Sequence, residues 1–434
     1  MKQDNYDVAI IGAGAGGLSA GAFLAKNGYK VLVAEKLPFV GGRGSSIDYK
    51  GFKLTTGAGG FELGLSEDIY EPLGISFRDL IRIPKPNSMY WANGKWHEVP
   101  EKGKLRAAIT LASGKDEATK IMNALRRAMA WNEPSNSISL RDWLLQYTTN
   151  EKTLGVFRAS WQIEEVTARA VIAEMKTMSS MPYGYAINGN ESMWQPLAQF
   201  IKAHGGDVWT RCRVTKILVE DDMAKGVVLH RKKDKEETQI NSKVVISNVG
   251  PYGTIRLAGE EKFDRGYLKD VKETIKTFPW LAFQVLSSQP ILDFASVGFP
   301  VDTRIVNWTL CPASLVPEVC PPGKYLTYVG AWIPANPPWN LEKYLDLAMK
   351  DLLEYAPRYE KYGEGILHCA YFLRQEWPMY RSYNGYSMYQ KTSIENLYNV
   401  GDAVFDKGYA GMWGAAVTGK NVANDVMQRI KPGG

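Results

Sequence analysis

The chain has 434 residues, of which 45% are hydrophobic and 23% charged, with 52 Lys and Arg against 46 Asp and Glu for a formal net charge of +6. This is the composition of an ordinary globular protein that can bury one large core or two moderate ones, and no internal repeat or low-complexity stretch interrupts it. The charge is mild and spread out, without an arginine-rich tract, which excludes a nucleic-acid partner; the absence of any run of about 18 apolar residues excludes a spanning helix and leaves only peripheral membrane contact.

The first predicted element is a buried strand over residues 6–11, where Val8, Ile10 and Ile11 lead into a glycine cluster. A helix follows, with Leu18, Ala22 and Ala25 on one stripe and Asn27 and Gly28 as its C-terminal stop. A second strand over residues 30–34 completes a βαβ unit. The apolar N-terminal stretch is broken by glycines and has no basic leader, so no signal peptide is expected.

Within this unit, Gly12, Ala13, Gly14, Ala15, Gly16 and Gly17 fit G-x-G-x-x-G at the strand-to-helix junction, where the motif has a physical meaning. Gly12 permits the tight turn, Gly14 lets the backbone approach a pyrophosphate, and Gly17 lets the helix pack close to the strand. The helix N-terminus faces the phosphate charge. Glu35, 18 residues after Gly17, is placed to accept hydrogen bonds from a ribose diol and would repel a 2′-phosphate. Lys36 follows it, and then come Gly41, Gly42 and Arg43 and, after residues 51–52, Gly57, Ala58, Gly59 and Gly60.

At the other end, residues 396–402 close on Gly401 and Asp402 and lead to Gly408, Gly411, Met412, Trp413, Gly414 and Gly419. A third segment lies between, with Gly205, Gly206, Val214, Gly226 and residues 244–248 reading as strands of a β-meander. Taken together, these three segments resemble the flavin-containing amine oxidase and phytoene desaturase superfamily. The resemblance implies a Rossmann-like α/β domain that binds FAD, interleaved with an α+β substrate domain of mixed sheet and helices. It implies FAD held by Gly12, Gly14, Ala15, Gly16, Gly17, Glu35, Lys36, Gly42, Arg43, Gly57, Ala58, Gly59, Val214, Gly401, Asp402, Gly411, Met412 and Trp413. Arg43 would lie near the pyrophosphate, the Val214 backbone near the adenine, and Asp402 near the ribityl chain. Thr55 departs from the family's usual aspartate at that position.

The two long insertions divide the chain into FAD-binding parts at 1–75, 188–255 and 386–434 and substrate parts at 76–187 and 256–385. The first insertion reads as helical, with Ser139 and Asp142 as a capping box and Ile121, Leu125, Ala128 and Met129 as a helical stripe. That stripe beside Lys120, Arg126 and Arg127 suits either a solvated amphipathic helix or an anionic membrane surface. The second reads as strand-rich, at residues 280–285 and 325–329.

Aromatic residues gather near the C-terminal motif, and Tyr409 and Trp413 are expected to face substrate because they flank its glycines. Cys212, Cys311, Cys320 and Cys369 form no C-x-x-C pair, which suits a reducing, cytoplasmic setting, and no cysteine follows Cys369 to attach a flavin, so the FAD is expected to be non-covalent. The four histidines show no metal-ligand spacing and no nucleophile elbow is present, so no metal and no catalytic acid or base is assigned. The expectation is hydride transfer between flavin N5 and a hydrophobic isoprenoid, lipid-like or cyclic unsaturated substrate, as desaturase, saturase or isomerase, with an electron acceptor or donor left open. Amine oxidation and a prenyl-lipid carrier of the GDP-dissociation-inhibitor type are the alternatives.

Overall fold

The computed structural model describes residues 4–131, 138–178, 182–231, 237–374 and 376–433. β1 (Asp4–Ile11) is buried through Val8, Ala9, Ile10 and Ile11, and it runs parallel to β2 (Val31–Ala34) on one side and to Thr238–Ser247 on the other. A strand with both flanks paired and both faces apolar is the expected centre of a parallel sheet. Asp207–Trp209 extends the parallel set beyond β2, and Leu397–Asn399 runs parallel to the end of Thr238–Ser247. Antiparallel Cys212–Glu220 and Met223–Arg231 complete this seven-stranded sheet. The central segment is therefore split: its later strands form the expected meander, while Asp207–Trp209 joins the opposite edge.

α1 (Ala15–Lys26) buries Leu18, Ala22 and Ala25 as its stripe predicts, but every residue from 16 to 25 is buried. The cause is the C-terminal helix Gly411–Arg429, which packs on it at backbone contact. A Cβ at Gly419 would lie 2.0 Å from the Gly16 carbonyl oxygen, and one at Gly16 would lie 2.9 Å from that of Ala415. The two ends of the chain meet at this crossing, directly behind the glycine turn.

A second seven-stranded sheet has the order Gly363–Phe372, Trp280–Ser287, Tyr325–Trp332, Val306–Leu310, Val297–Pro300, Ser88–Ala92 and Lys95–Glu98. Its pairings are antiparallel except for Val297–Pro300 beside Ser88–Ala92. Helices Lys104–Ser113, Lys115–Trp131, Leu140–Leu145, Glu151–Arg158 and Ala168–Met178 share one apolar cluster beside it. Ser139 caps Leu140–Leu145 by accepting the Asp142 N–H at 3.0 Å. Lys115–Trp131 spends its apolar stripe internally: Ile121, Leu125 and Ala128 are buried, while Lys120, Arg126 and Arg127 face solvent. Its apolar face is thus committed to the protein interior rather than presented to a bilayer. No helix among the described residues is long and apolar enough to cross a membrane.

Because the crossing of α1 and Gly411–Arg429 leaves no room for a methyl group, Gly419→Ala is expected to lower stability by about 1–3 kcal/mol in urea unfolding, as overpacking does. An unchanged midpoint would show that the two helices separate freely.

Candidate active site

A cavity of about 510 Å³ opens where β1 and β2 end, at the glycine turn. Gly12 makes that turn at φ +94°, a conformation that a side chain would strain. Gly12, Gly14, Ala15, Gly16, Glu35, Lys36, Gly42, Arg43, Gly57, Ala58, Val214, Gly401, Asp402, Gly411 and Met412 all line the cavity. A Cβ at Gly14 would come within 2.6 Å of the Asn248 amide, so only glycine leaves the passage open. With its amide oriented to satisfy both neighbours, Asn248 accepts the Gly14 N–H at 3.2 Å and donates to the Val400 carbonyl at 3.2 Å. It ties the first glycine segment to the last.

Glu35 accepts the N–H groups of Ala13 and Leu37, each at 2.8 Å. Burial pushes its carboxyl up and these N–H groups oppose that. Two acceptor positions are used of about four that a carboxylate offers, which leaves capacity toward the cavity. Val214 sits at a β-bulge, because the pairing of Cys212–Glu220 with Met223–Arg231 slips between Val214 and Lys216. The bulge withdraws backbone groups from the ladder beside the cavity wall.

Asp402 is 5% exposed and holds two guanidiniums. Its Oδ1 accepts Arg43 Nη2 at 2.7 Å and Arg381 Nη1 at 2.9 Å, and its Oδ2 accepts the Arg381 backbone N–H at 2.8 Å. Burial alone would raise the Asp402 carboxyl; the charges of Arg43 and Arg381 outweigh it and hold the group well below the usual carboxylate range. Arg381 is pulled down to about 10, by burial first and then by the charge of Arg43. Asp402 does not cap the following helix, which begins at Gly411 with Ala410 as its N-cap residue.

A second cavity, of about 370 Å³, lies between the second sheet and the helical cluster. Tyr90, Phe278, Trp280, Phe299, Trp332 and Tyr383 supply much of its wall, with Met122, Leu125 and Met129 from the Lys115–Trp131 helix. Glu62, Tyr183, Trp308, Met379, Tyr380 and Gly411 line both cavities and so frame the aperture between them.

The aperture is the acidic part of the site. Glu62, 2% exposed, accepts Tyr183 Oη at 3.0 Å and, more weakly, the Trp413 N–H at 3.4 Å, at the start of the C-terminal helix. Burial raises its carboxyl, and these donors oppose the shift. Glu174 faces the second cavity and accepts Trp161 Nε1 at 3.2 Å and the Asn384 amide N–H. Burial, with a contribution from the Glu62 charge, pushes Glu174 up to about 7.

Four expected residues lie off the cavities. Gly17 lies beneath the glycine turn, where a Cβ would sit 2.1 Å from the Gly12 carbonyl oxygen, so it serves the packing role its motif position implies. Gly59 packs on the second sheet, where a Cβ would meet Leu310 at 2.2 Å. Trp413 and Tyr409, expected to face substrate, line neither cavity. Gly411, Met412 and Ala415 take the cavity side of the helix, and the 100° step per residue turns the Trp413 ring away, onto Gly64 and into a 2.8 Å hydrogen bond with Asp68. Tyr409 packs edge-on against that indole.

Sequence reasoning missed Glu62, Glu174, Tyr183, Arg381 and the bridging role of Asn248. Glu62 stands two residues beyond the Gly57 to Gly60 run, a position from which it could have been proposed. Glu174 has no local signature, since it is one charged residue in an amphipathic helix whose neighbours decide its setting.

Glu174 gives the protein a pH-dependent stability of definite sign. Between its ordinary 4.5 and about 7, the folded chain keeps a proton that the unfolded chain has released. The stabilisation is complete below that window and is lost as pH rises through it, by roughly 2 kcal/mol after allowance for cavity water. Urea unfolding from pH 4.5 to 8 should show this loss in the wild type and a flatter curve in Glu174→Gln; parallel curves would contradict it.

Comparison with known proteins follows the same division. The model of the NAD(P)-binding Rossmann-like domain matches residues 10–72. The chain is 25% identical over 432 residues to an uncharacterized protein of Methanocaldococcus jannaschii, covering 96% of this chain and 98% of that one. It is 38% identical over 84 residues to a phytoene desaturase of Phycomyces blakesleeanus, covering 19% of this chain and 14% of the desaturase. Other phytoene and diapophytoene desaturases match over half of their length or less. Among solved structures, an oxidoreductase from Methanosarcina mazei superposes with a TM-score of 0.81 at 24% identity, covering 98% of this chain and 100% of that chain. Putrescine oxidase bound to putrescine gives 0.73 at 17% identity, covering 99% and 100%. The dinucleotide fingerprint, the C-terminal glycine segment joined to it in space, and these matches make the chain similar to the FAD-dependent oxidoreductases, with local sequence likeness to phytoene desaturases and the fold of putrescine oxidase.

Proposed function

We propose that the chain binds FAD non-covalently in the first cavity and exchanges hydride with a hydrophobic carbon substrate held in the second. The observation that carries this reading is the shared aperture: one wall of a glycine-lined dinucleotide cavity is also the floor of an aromatic one. The first cavity fits the group, since its glycines leave the passage clear, Glu35 retains acceptor capacity for a ribose, and Arg43 and Arg381 stand beside it for a pyrophosphate. Asp402 keeps acceptor capacity for a ribityl hydroxyl, and the N-terminus of Gly411–Arg429 presents its positive end to the aperture. FAD bound there supplies the acceptor, or in the reverse direction the donor, of a hydride.

Breaking two C–H bonds to form a double bond releases one hydride and one proton. Glu62 stands at the aperture, where the proton is released, and its raised affinity for protons suits it to take that proton up or return it. Tyr183 orients the carboxylate by donating to it. The aromatic and methionine walls exclude water, and Glu174 provides a second proton-holding group in the same cavity.

Oxidation of an amine is the second reading, favoured by the two carboxylates among aromatic walls, which could receive a cation. Anaerobic bleaching of the flavin absorbance by isoprenoids, fatty acyl compounds, cyclic unsaturated compounds and amines separates the two. Reduction by a non-amine supports the leading proposal, and reduction by amines alone overturns it. With a reducing substrate in hand, Glu62→Gln should retain FAD and slow flavin reduction by about 10²–10⁴-fold. An unchanged rate would remove Glu62 from the chemistry.

A further inference from the structure

The polar groups of the second cavity are sorted by sign along its depth. Glu62 frames the aperture and Glu174 stands near enough to feel its charge, whereas Arg106 is exposed and Lys104 lies two residues before it. The position of the mouth follows from exposure, because among the residues lining the cavity only Gly103 and Arg106 are exposed. Lys104 begins the helix Lys104–Ser113, Gly103 before it provides no side-chain cap, and Gly103, Lys104, Leu105 and Arg106 of this helix end all line the cavity.

Among the described residues, the Lys104 ammonium makes no hydrogen bond and no ion pair. Burial pushes its pKa down; Glu101 acts on it only through its charge and forms no ion pair within 4.0 Å. Arg106 spends one donor on Thr119, at 3.2 Å, and keeps the rest of its fork. An ammonium held partly out of water without a partner is unfavourable, and an anion seated beside it relieves that cost. The same anion moved inward would meet Glu62 and Glu174, so the field of the cavity admits it in one orientation only.

We propose that the second cavity recognises an amphipathic substrate with an oxyanion headgroup, a carboxylate or a phosphate monoester, which pairs with Lys104 while its apolar chain runs inward past Met122, Leu125 and Phe299 to the aperture. This deepens the hydride-transfer proposal and rests on the second cavity being the substrate site. The headgroup fixes which carbons reach Glu62, so Lys104 sets both affinity and the position of reaction.

Four probes with one chain, oleic acid, oleyl phosphate, oleyl alcohol and oleylamine, are titrated into the FAD-loaded protein. Binding is read from tryptophan fluorescence, since Trp161, Trp280, Trp308 and Trp332 line the cavity and no turnover is needed. At least one of the two anionic probes should bind about tenfold or more tightly than the alcohol, and the stronger of the two identifies the headgroup. That preference should vanish in Lys104→Met, persist in Lys104→Arg, and shrink with added salt in the wild type, a readout that stands even if Lys104→Met fails to fold. Equal binding of acid, phosphate and alcohol, a preference that survives Lys104→Met or ignores salt, or tightest binding of oleylamine would each overturn the assignment. The flavin spectrum is recorded on the same samples. Headgroup-selective binding by protein that takes up no FAD would sink the redox proposal while leaving the anchor. Flavin reduction by an uncharged substrate at equal rate in the wild type and Lys104→Met would sink the anchor alone.

Discussion

One buried carboxylate holding two guanidiniums is the interaction on which the rest of the site depends. Asp402 joins Arg43, 359 residues earlier in the chain, to Arg381, and it does so at the floor of the dinucleotide cavity. Arg43 extends the bond network by donating to the carbonyls of Pro378 and Met379, each at 2.9 Å. Since Met379 and Tyr380 also line the second cavity, this one network fixes the cofactor wall and the aperture together. Removing one member of such a buried set leaves charge without compensation, a loss of about 3–5 kcal/mol in comparable cases. Two positive groups on one carboxylate also leave the cavity floor electropositive, which is the field that a pyrophosphate requires.

The second consequence is electrostatic. The first cavity is lined by both cations and carboxylates, whereas the second has Glu62 at the aperture and Arg106 at its exposed end. Burial among the aromatic walls raises the affinity of both Glu62 and Glu174 for protons, and pushes Glu174 up to about 7. A carboxyl group poised in this way can exchange a proton with a carbon substrate near neutral pH. The glycine-lined cavity and the aromatic cavity thus meet at one aperture, framed by Glu62, Tyr183, Trp308, Met379, Tyr380 and Gly411.

Much of this was legible in the sequence because the informative signals are local. The alternation of strand, glycine turn and helix over the first 35 residues names its own fold, and Gly401, Asp402 and Gly411 line the same cavity as the glycine turn. The helical stripe at Ile121 and Leu125 and the strands at Trp280 and Tyr325 were equally plain. What escaped is set by tertiary packing. Tyr409 and Trp413 flank the right glycines, but helical phase turns the indole into the core. Glu174 becomes a proton-holding group only because Trp161, Asn384 and the aromatic wall surround it. Arg381 carries no motif, and its partnership with Asp402 exists only once the segment before Tyr383 folds over the cavity.

The most direct test of the account is cofactor uptake by the purified chain. Equilibrium titration should show one FAD bound per chain, with a flavin spectrum that is released into solution when the protein is denatured by acid, and no comparable binding of NAD⁺ or NADP⁺. Failure to bind FAD, or preferential binding of a nicotinamide dinucleotide, would contradict it.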